Sequence, residues 1–241
     1  MDYLEDKKLL ELRFSNGMMI LPFVRYKLLC SKNQDNTSSS SRNPVSKPTI
    51  FFRFFSNLIR IRVKKKKLVF FSSTLFNVEV EGEKGIYYNS MDGYYYDLFP
   101  EDSLLIEDAD EEFKWRAKNS YKSMSFIRTY LLFLSFTLSR VFNKIKPIRR
   151  IDFDYIIKNY PELYTIEELG RLDYFHRIYY SLIKWVLKKT QCNLIAVNCG
   201  SYGETYAPLI KAAHDLGIKV IEMQHGAILQ SHLGYHADDF I

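Results

Sequence analysis

Cysteine is scarce in this sequence: the 241 residues contain three, at Cys30, Cys192 and Cys199. An odd number without framework spacing argues against a disulfide scaffold and favours reduced thiols. None of the three has the spacing of a zinc knuckle. The N-terminus is acidic where a secretory signal needs a basic start and an apolar core, so we do not expect export. A cytoplasmic protein is therefore the expectation.

The sequence also lacks an apolar run long enough to cross a membrane. The best candidate, Tyr130 to Phe142, follows Arg128 and carries Arg140 near its end. These arginines leave about eleven residues between them, whereas a spanning helix requires roughly twenty. We expect no spanning helix, and peripheral contact with a membrane stays open.

Apolar content, in contrast, is ample: 47% of the residues are hydrophobic, enough for one large domain or two small ones. The formal net charge is +6, and six positive charges fall between Arg60 and Lys67. Such a run is typical of a solvated edge, with a membrane surface or a nucleic acid as alternative partners. Because aromatic and basic residues alternate from Phe51 to Lys67, we expect salt-sensitive attachment to anionic lipid and no nucleic-acid partner.

The first 49 residues are predicted to form an N-terminal arm and a flexible linker, followed by one domain over residues 50–241. Met18 to Arg25 predicts a short strand or a packing arm. Ser31 to Pro48 has hardly an apolar residue, so it cannot bury enough surface to order itself. This stretch predicts a linker or a mobile loop.

Four short apolar runs predict neighbouring parallel strands of one sheet covered by helices. They are Leu68 to Phe71, Leu104 to Ile106, Leu194 to Val197 and Lys219 to Met223. The last two flank a helical pattern, as in a βαβ unit. Within Asn77 to Tyr96, alternating residues on both sides of the turn Gly82 to Gly85 predict a hairpin.

A helical insert is predicted between the second and third parallel strands. Asp108 to Ile145 begins with acidic residues and ends near basic ones, as a helix does. Ile151 to Tyr160 and Glu162 to Lys189 continue the pattern, with a capping box from Thr165 to Glu168. One apolar face of the last helix comprises Leu172, Phe175, Ile178, Tyr179, Leu182, Ile183 and Val186. The predicted fold class is α/β, a parallel sheet flanked by helices.

The candidate chemistry lies after the last predicted strand. In open sheets of this kind, ligands bind beyond the carboxyl ends of the strands, where Gln224, His225 and Gly226 stand. The imidazole of His225 could act as a general base toward a hydroxyl at neutral pH. The missing side chain of Gly226 lets a substrate approach the backbone. The alternative is a structural histidine at a strand end.

A turn from Cys199 to Gly203 follows the third strand. It stands where a serine hydrolase has its Gly-x-Ser-x-Gly elbow, but Cys199 replaces the first glycine. A Gly-rich turn that leads into a helix explains it better, and such a turn can receive an anion on its N–H groups. Ser201 and Tyr202 are therefore candidate substrate-facing residues, and a purely structural turn is the alternative.

Two sequence patterns resemble metal-binding sites. Asp152 and Asp154 resemble the Asp-x-Asp that holds a divalent cation, but they lie in a helical pattern. His225, His232 and His236, with Asp238 and Asp239, fit no known ligand spacing. We expect no metal site.

The segment that begins at Glu222 resembles a family motif. Bacterial surface and capsular polysaccharide glycosyltransferases of the GT-B type carry Glu-x-Gln-His-Gly after a strand, a short loop, and then His-x-Gly-Tyr. The matching residues are Glu222, Gln224, His225, Gly226, His232, Gly234 and Tyr235. More distantly, the segment is similar to the teichoic-acid polymerases, in which a His-Gly at the equivalent strand end serves the acceptor hydroxyl. The resemblance covers roughly Lys67 to Tyr235.

The resemblance implies that residues 50–241 form the acceptor-side, Rossmann-like N-terminal half of a GT-B architecture. His225 would be the general base or an acceptor-positioning group, and the acceptor would be a glycan or lipid-linked glycan at the inner face of the membrane. The cleft would be lined by Glu222, Gln224, Gly226, His232 and Tyr235, with Ser201 and Tyr202 in the nearby turn.

The resemblance also implies a nucleotide-sugar donor and no further cofactor. GT-B enzymes bind the nucleotide with a second Rossmann-like domain, for which the 241 residues leave no room. We expect a truncated sequence, a second half supplied by another chain, or a protein that no longer transfers sugars. A non-catalytic half-domain that binds a glycan or a partner is the alternative function.

Overall fold

The structure is a computed structural model that describes residues 6–24, 27, 65–73, 77–79, 81, 87–90, 92–108, 126–198 and 205–223. Its strands are β1 (Leu68–Ser73), β2 (Asn77–Glu79), β3 (Tyr87–Asn89), β4 (Ser103–Asp108), β5 (Leu194–Val197) and β6 (Lys219–Glu222). Its helices are α1 (Lys7–Glu11), α2 (Gly93–Leu98), α3 (Phe126–Ile145), α4 (Ile151–Asn159), α5 (Ile166–Thr190) and α6 (Tyr206–His214).

Four strands form one parallel sheet in the order β4-β1-β5-β6. Leu68 is opposite Ser103 on one side and Leu194 on the other, and Leu194 is opposite Lys219. The four predicted strands are thus confirmed as neighbours in one sheet, and the fold class is α/β. Their short apolar runs suit a parallel sheet because its central strands are buried on both faces.

The two faces of the sheet are covered differently. On one face, strand residues such as Val69, Ile106 and Val197 share the largest core with α3, α5 and α6. On the other face, Phe70, Leu105 and Ala196 pack with Tyr96 of α2. The chain moves from β1 to β4 in one direction and then back past β1 to β5 and β6. Right-handed crossovers in opposite directions place their connections on opposite faces, which accounts for this division.

Strand β6 is less covered than we expected from its apolar composition. The side chain of Ile221 is 44% exposed, and Lys219 and Glu222 are exposed as well. Among the described strands, β6 pairs with β5 alone and therefore forms an edge of the sheet.

The remaining predicted elements are largely confirmed. The hairpin is present as the antiparallel pair β2 and β3, although the turn Gly82 to Gly85 lies outside the described residues. The prediction that a helix begins at Asp108 is wrong, because Asp108 pairs with Ser73 at the end of β4. The helix is described from Phe126 onward.

No helix in the described ranges is both long and apolar enough to cross a membrane.

Helix α5 is the longest helix described, with 25 residues, and its N-terminal signal is confirmed. The Thr165 hydroxyl accepts a hydrogen bond from the Glu168 N–H at 3.2 Å, and the Glu168 carboxylate accepts one from the Thr165 N–H at 2.8 Å. This reciprocal pair satisfies two N–H groups that the helix leaves unpaired. The predicted apolar face is also confirmed, with Phe175, Tyr179 and Ile183 buried against the sheet.

The N-terminal residues 6–24 form a second core with α4 and α5. Leu9, Phe14 and Phe23 are buried there with Phe153 and Leu169. Of the two interpretations of Met18 to Arg25, packing fits the described part better, because residues 21–24 form a helical turn and Met19 makes one isolated bridge to Arg13. The predicted linker from Ser31 to Pro48 lies outside the described residues.

Two carboxylates hold this N-terminal segment in place. Asp6 accepts hydrogen bonds from the Tyr155 and Tyr160 hydroxyls, both at 2.8 Å, and from two backbone N–H groups. Burial works to raise the pKa of Asp6, but these hydrogen bonds outweigh it and hold the pKa below its usual value. Asp173, which is fully buried, accepts from the Ser15 N–H at 2.6 Å and from its hydroxyl at 2.5 Å.

A buried histidine makes this second core sensitive to pH. The ring of His176 lies 4.6 Å from the rings of both Phe14 and Phe23, and neither of its nitrogens has a hydrogen-bond partner among the described residues. Burial lowers the pKa of His176 to about 3. The unfolded imidazole takes up its proton near pH 6.5. We therefore expect this group to leave the free energy of unfolding unchanged above about pH 6.5 and to lower it as the pH falls from there toward 3.

We expect replacement of His176 by Leu, which is similar in volume and cannot ionise, to remove most of this loss. By pH 5 the wild-type protein should have lost about 2 kcal/mol of unfolding free energy through this group, at about 1.4 kcal/mol per pH unit. Urea unfolding at pH 7, 6 and 5 measures the difference. The matched control is His214→Leu on the exposed end of α6. An identical pH dependence in the wild type and His176→Leu would contradict the assignment.

Candidate functional site

The strand order reverses between β1 and β5. The chain leaves β1 toward β4 on one side, and the later strands β5 and β6 lie on the other. At such a switch point the connections diverge and leave a crevice beyond the carboxyl ends of the two strands, where ligands of open α/β sheets bind. In this structure the two strand ends carry Ser72 and Asn198. The Asn198 side-chain N–H donates to the Ser72 Oγ at 3.2 Å.

A group of buried polar side chains surrounds this point. We call it the switch-point cluster, and it consists of Ser72, Asn89, Asp92, Arg128 and Asn198. Each of them is at most 1% exposed. The Ser72 hydroxyl also accepts a hydrogen bond from the Asn89 Nδ2 at 3.0 Å, and the Asn198 Nδ2 donates to the Asp92 Oδ2 at 3.1 Å. Strand β1, strand β5 and the chain between β3 and α2 therefore meet in one hydrogen-bonded network.

Asp92 is the acidic member of the cluster. Its burial raises its pKa above the usual value, and hydrogen bonds with Ser72 and Asn198 offset this only in part. Among the described residues, the Asp92 Oδ1 and the Asn198 Oδ1 have no hydrogen-bond partner. Both are acceptors, so the cluster suits groups that donate hydrogen bonds, such as hydroxyls.

Arg128 is the basic member, and it ties the cluster to two helices. Its guanidinium donates to the Ser72 carbonyl at 3.2 Å, to the Tyr206 hydroxyl at 3.1 Å and to the Thr205 Oγ1 at 3.1 Å. It also lies 4.3 Å from the centre of the Tyr206 ring. Arg128 comes from α3, whereas Thr205 and Tyr206 begin α6. The guanidinium therefore fixes the carboxyl edge of the sheet relative to both helices.

An aromatic cleft of about 660 Å³ lies on the face of the sheet that α2 covers in part. Its floor is apolar, and its polar groups come from Glu222, Ser90 and two tyrosines. The lining residues are Leu68, Phe70, Ser90, Tyr94, Tyr95, Phe99, Leu194, Ile221, Glu222 and Met223. Tyr94 and Phe99 are 60% and 57% exposed. The volume is within the range of sites for small ligands, which combine apolar walls with a few polar groups.

Glu222 is the one predicted site residue that the structure describes. It ends β6 and lines the aromatic cleft. The others lie outside the described residues and stay predictions: Ser201, Tyr202, Gln224, His225, Gly226, His232 and Tyr235.

The structure describes one of the two sequence patterns that resemble a metal site. Asp152 and Asp154 lie in the first turn of α4, as the helical pattern indicated, and Asp152 pairs with Arg150 at 3.0 Å. The carboxyl-terminal histidines lie outside the described residues. Within the described ranges, no three His, Cys, Asp or Glu side chains are grouped as metal ligands would be.

Sequence reasoning missed most of the switch-point cluster. In the sequence, Arg128 only precedes an apolar run. No sequence pattern points to Asn89 or Asp92 as site residues. Ser72 and Asn198 gave the available signal, because they directly follow the predicted strands Leu68 to Phe71 and Leu194 to Val197. The other members come from loops and from a helix whose place beside those strand ends depends on the fold.

No protein-family model, no curated protein and no solved structure matches this chain.

Proposed function

We propose that this chain is the acceptor-side domain of a GT-B-like glycosyltransferase that acts in bacterial surface polysaccharide synthesis. One observation carries the proposal: the strand that leads into the family-like motif is β6 of a parallel sheet with a switch point. Glu222 and Met223, which begin the motif, lie at the carboxyl end of β6. Ligands of such sheets bind at this edge.

The chemistry of the two described sites supports a carbohydrate acceptor. A sugar has hydroxyl groups on its edges and apolar C–H groups on its ring faces. The aromatic cleft offers exposed rings of Tyr94, Tyr95 and Phe99 beside the Glu222 carboxylate. Tyrosine and phenylalanine rings supply apolar contact area, and a carboxylate accepts hydrogen bonds from hydroxyls.

In this proposal, His225 takes the proton from an acceptor hydroxyl. The oxygen then forms a bond to the anomeric carbon of the donor sugar, and the bond from that carbon to the diphosphate oxygen breaks. The nucleoside diphosphate leaves with the bonding electrons. A second Rossmann-like domain would bind the nucleotide, and the acceptor would be glycan or lipid-linked glycan at the cytoplasmic face of the membrane. Gln224, Gly226, His232 and Tyr235 would line the acceptor side.

We expect oligosaccharides from bacterial surface polysaccharides to bind at the carboxyl edge of the sheet. In amide NMR spectra of the full chain, Asn198, Glu222 and Met223 should shift on titration. Ser103 and Lys219 begin their strands at the opposite edge, are not among the residues that line the aromatic cleft, and should stay unchanged. Dextran of matched length is the control ligand. Shifts confined to the opposite edge, or none with any surface oligosaccharide, would contradict the proposal.

A transfer assay then separates a transferase from a glycan-binding domain. Labelled nucleotide sugars are supplied together with the bound oligosaccharide and a donor-binding domain. Extension of the oligosaccharide supports the transferase. Binding without extension under any donor would favour the non-catalytic half-domain.

A further inference from the structure

One surface outside both sites combines positive charge with exposed apolar side chains. It comprises residues 140–151, which include the end of α3, the connection to α4 and the first residue of α4. We call it the basic corner. Residues 140–151 contain five basic side chains and no acidic one, while Asp152 pairs with Arg150 at 3.0 Å and Glu167 lines a cavity together with Lys144 and Arg149. The five are Arg140, Lys144, Lys146, Arg149 and Arg150.

Apolar side chains project from the same corner. Ile151 is 85% exposed and Ile145 is 75% exposed, while Val141 and Phe142 are 45% and 42% exposed. Val141 and Ile145 are four residues apart on α3, so they lie on one face of the helix. Single exposed apolar residues are ordinary on protein surfaces, but four within eleven residues of the chain favour an interaction site.

Helix α5 contacts the basic corner through two hydrogen bonds and a close approach of the helices. The Asn143 Nδ2 donates to the Glu167 carbonyl at 3.0 Å, and the Tyr174 hydroxyl donates to the Lys146 carbonyl at 2.9 Å. A Cβ at Gly170 would lie 2.6 Å from the Asn143 Oδ1, so α3 and α5 approach closely here. A surface that is already ordered loses little conformational entropy on binding.

The charge pattern favours one kind of partner. A second copy packed on this surface by two-fold symmetry would bring two groups of like charges together, which is repulsive even though Arg150 is paired with Asp152. A nucleic acid would neutralise the charges but would leave the isoleucines exposed. An anionic lipid surface satisfies both features, because phosphates bind the cations while the apolar side chains enter the boundary between headgroups and acyl chains.

We propose that the basic corner docks on an anionic lipid bilayer. This surface is distinct from Phe51 to Lys67, of which the structure describes Lys65 to Lys67 only. The proposal rests on the exposure and charge of residues 140–151 and is independent of the proposed glycosyltransferase activity.

Co-sedimentation of the full chain with vesicles tests the proposal. We expect binding to phosphatidylcholine vesicles that contain phosphatidylglycerol and little binding to phosphatidylcholine alone. The triple variant Arg140→Gln, Lys144→Gln, Arg149→Gln should lower the partition coefficient on the order of 100-fold, since each basic residue near the surface contributes about 1 kcal/mol. The double variant Ile145→Ser, Ile151→Ser should lower it about 10-fold, since both side chains would lose part of their burial in the lipid.

The matched control removes the same charge from other exposed positions, as Lys188→Gln, Lys189→Gln, Lys219→Gln. This triple variant should bind nearly as well as the wild type, and circular dichroism melts confirm that all variants fold. Equal losses in both triple variants would overturn the proposal, as would equal binding to neutral vesicles or none to either kind. Duplex DNA binding without vesicle binding, or self-association abolished by Ile145→Ser, would assign the corner to another partner.

Discussion

Replacement of His225 by Ala should lower the rate of sugar transfer by roughly 100-fold to 10,000-fold, the usual contribution of a positioned general base. The expectation follows from the proposed function, in which the imidazole accepts the proton of the attacking hydroxyl. In that proposal a second domain binds the donor nucleotide, so the assay needs the donor-binding domain together with this chain. His225 lies outside the described residues, three positions after the end of β6.

The proposed function has the imidazole of His225 meet the acceptor outside the core, so its truncation should leave no core cavity and stability should change little in His225→Ala. Turnover and thermal melting are therefore measured on the same protein. His214→Ala, on the exposed end of α6, is the matched control and should alter neither. Unchanged turnover would reject the catalytic role. Lost turnover with a large drop in melting temperature would return His225 to a structural role at the strand end.

Replacement of Arg128 by Ala should lower the free energy of unfolding by about 3–5 kcal/mol, because it creates a cavity and removes a charged donor from three hydrogen bonds. Arg128 is 1% exposed and donates to the Ser72 carbonyl, the Tyr206 hydroxyl and the Thr205 Oγ1. Its loss leaves a cavity and removes the donors of these three acceptors. Denaturant unfolding at neutral pH measures the change.

Arg128→Lys separates geometry from charge. The lysine keeps the positive charge but lacks the planar fork that reaches several acceptors and stacks on the Tyr206 ring, so most of the loss should persist. The matched control is Arg177→Ala, an exposed arginine on α5, which should change stability by less than about 0.5 kcal/mol. If Arg128→Ala behaved like Arg177→Ala, the cluster would not hold the carboxyl edge together.

The local sequence pattern was enough to predict the elements whose environment is the same along their whole length. Leu68 to Phe71 and Leu194 to Val197 are continuous apolar runs because a parallel strand between two covered faces needs apolar residues on both sides. Helix α5 was predicted with its capping box because its N-terminal hydrogen bonds join residues three positions apart. The α/β class follows from the alternation of these elements.

Only the tertiary structure decided where the polar site lies. Ser72, Asp92, Arg128 and Asn198 are separated by tens of residues along the chain, and no local pattern marks them as partners. Strand β5 pairs with β1 rather than with β4, so the switch point lies between the carboxyl ends of β1 and β5. The four side chains meet there.

The exposure of a segment likewise depends on the tertiary structure and not on its composition alone. The apolar composition of Lys219 to Met223 predicted a strand, but its exposure depends on its place at the edge of the described sheet. The apolar residues of the N-terminal segment pack against α4 and α5, which lie more than a hundred positions further along the chain. The sequence alone determined which segments become strands and helices, because hydrogen bonding and side-chain periodicity are local. The tertiary structure decided which polar groups are buried together, because burial depends on contacts between segments that are distant in sequence.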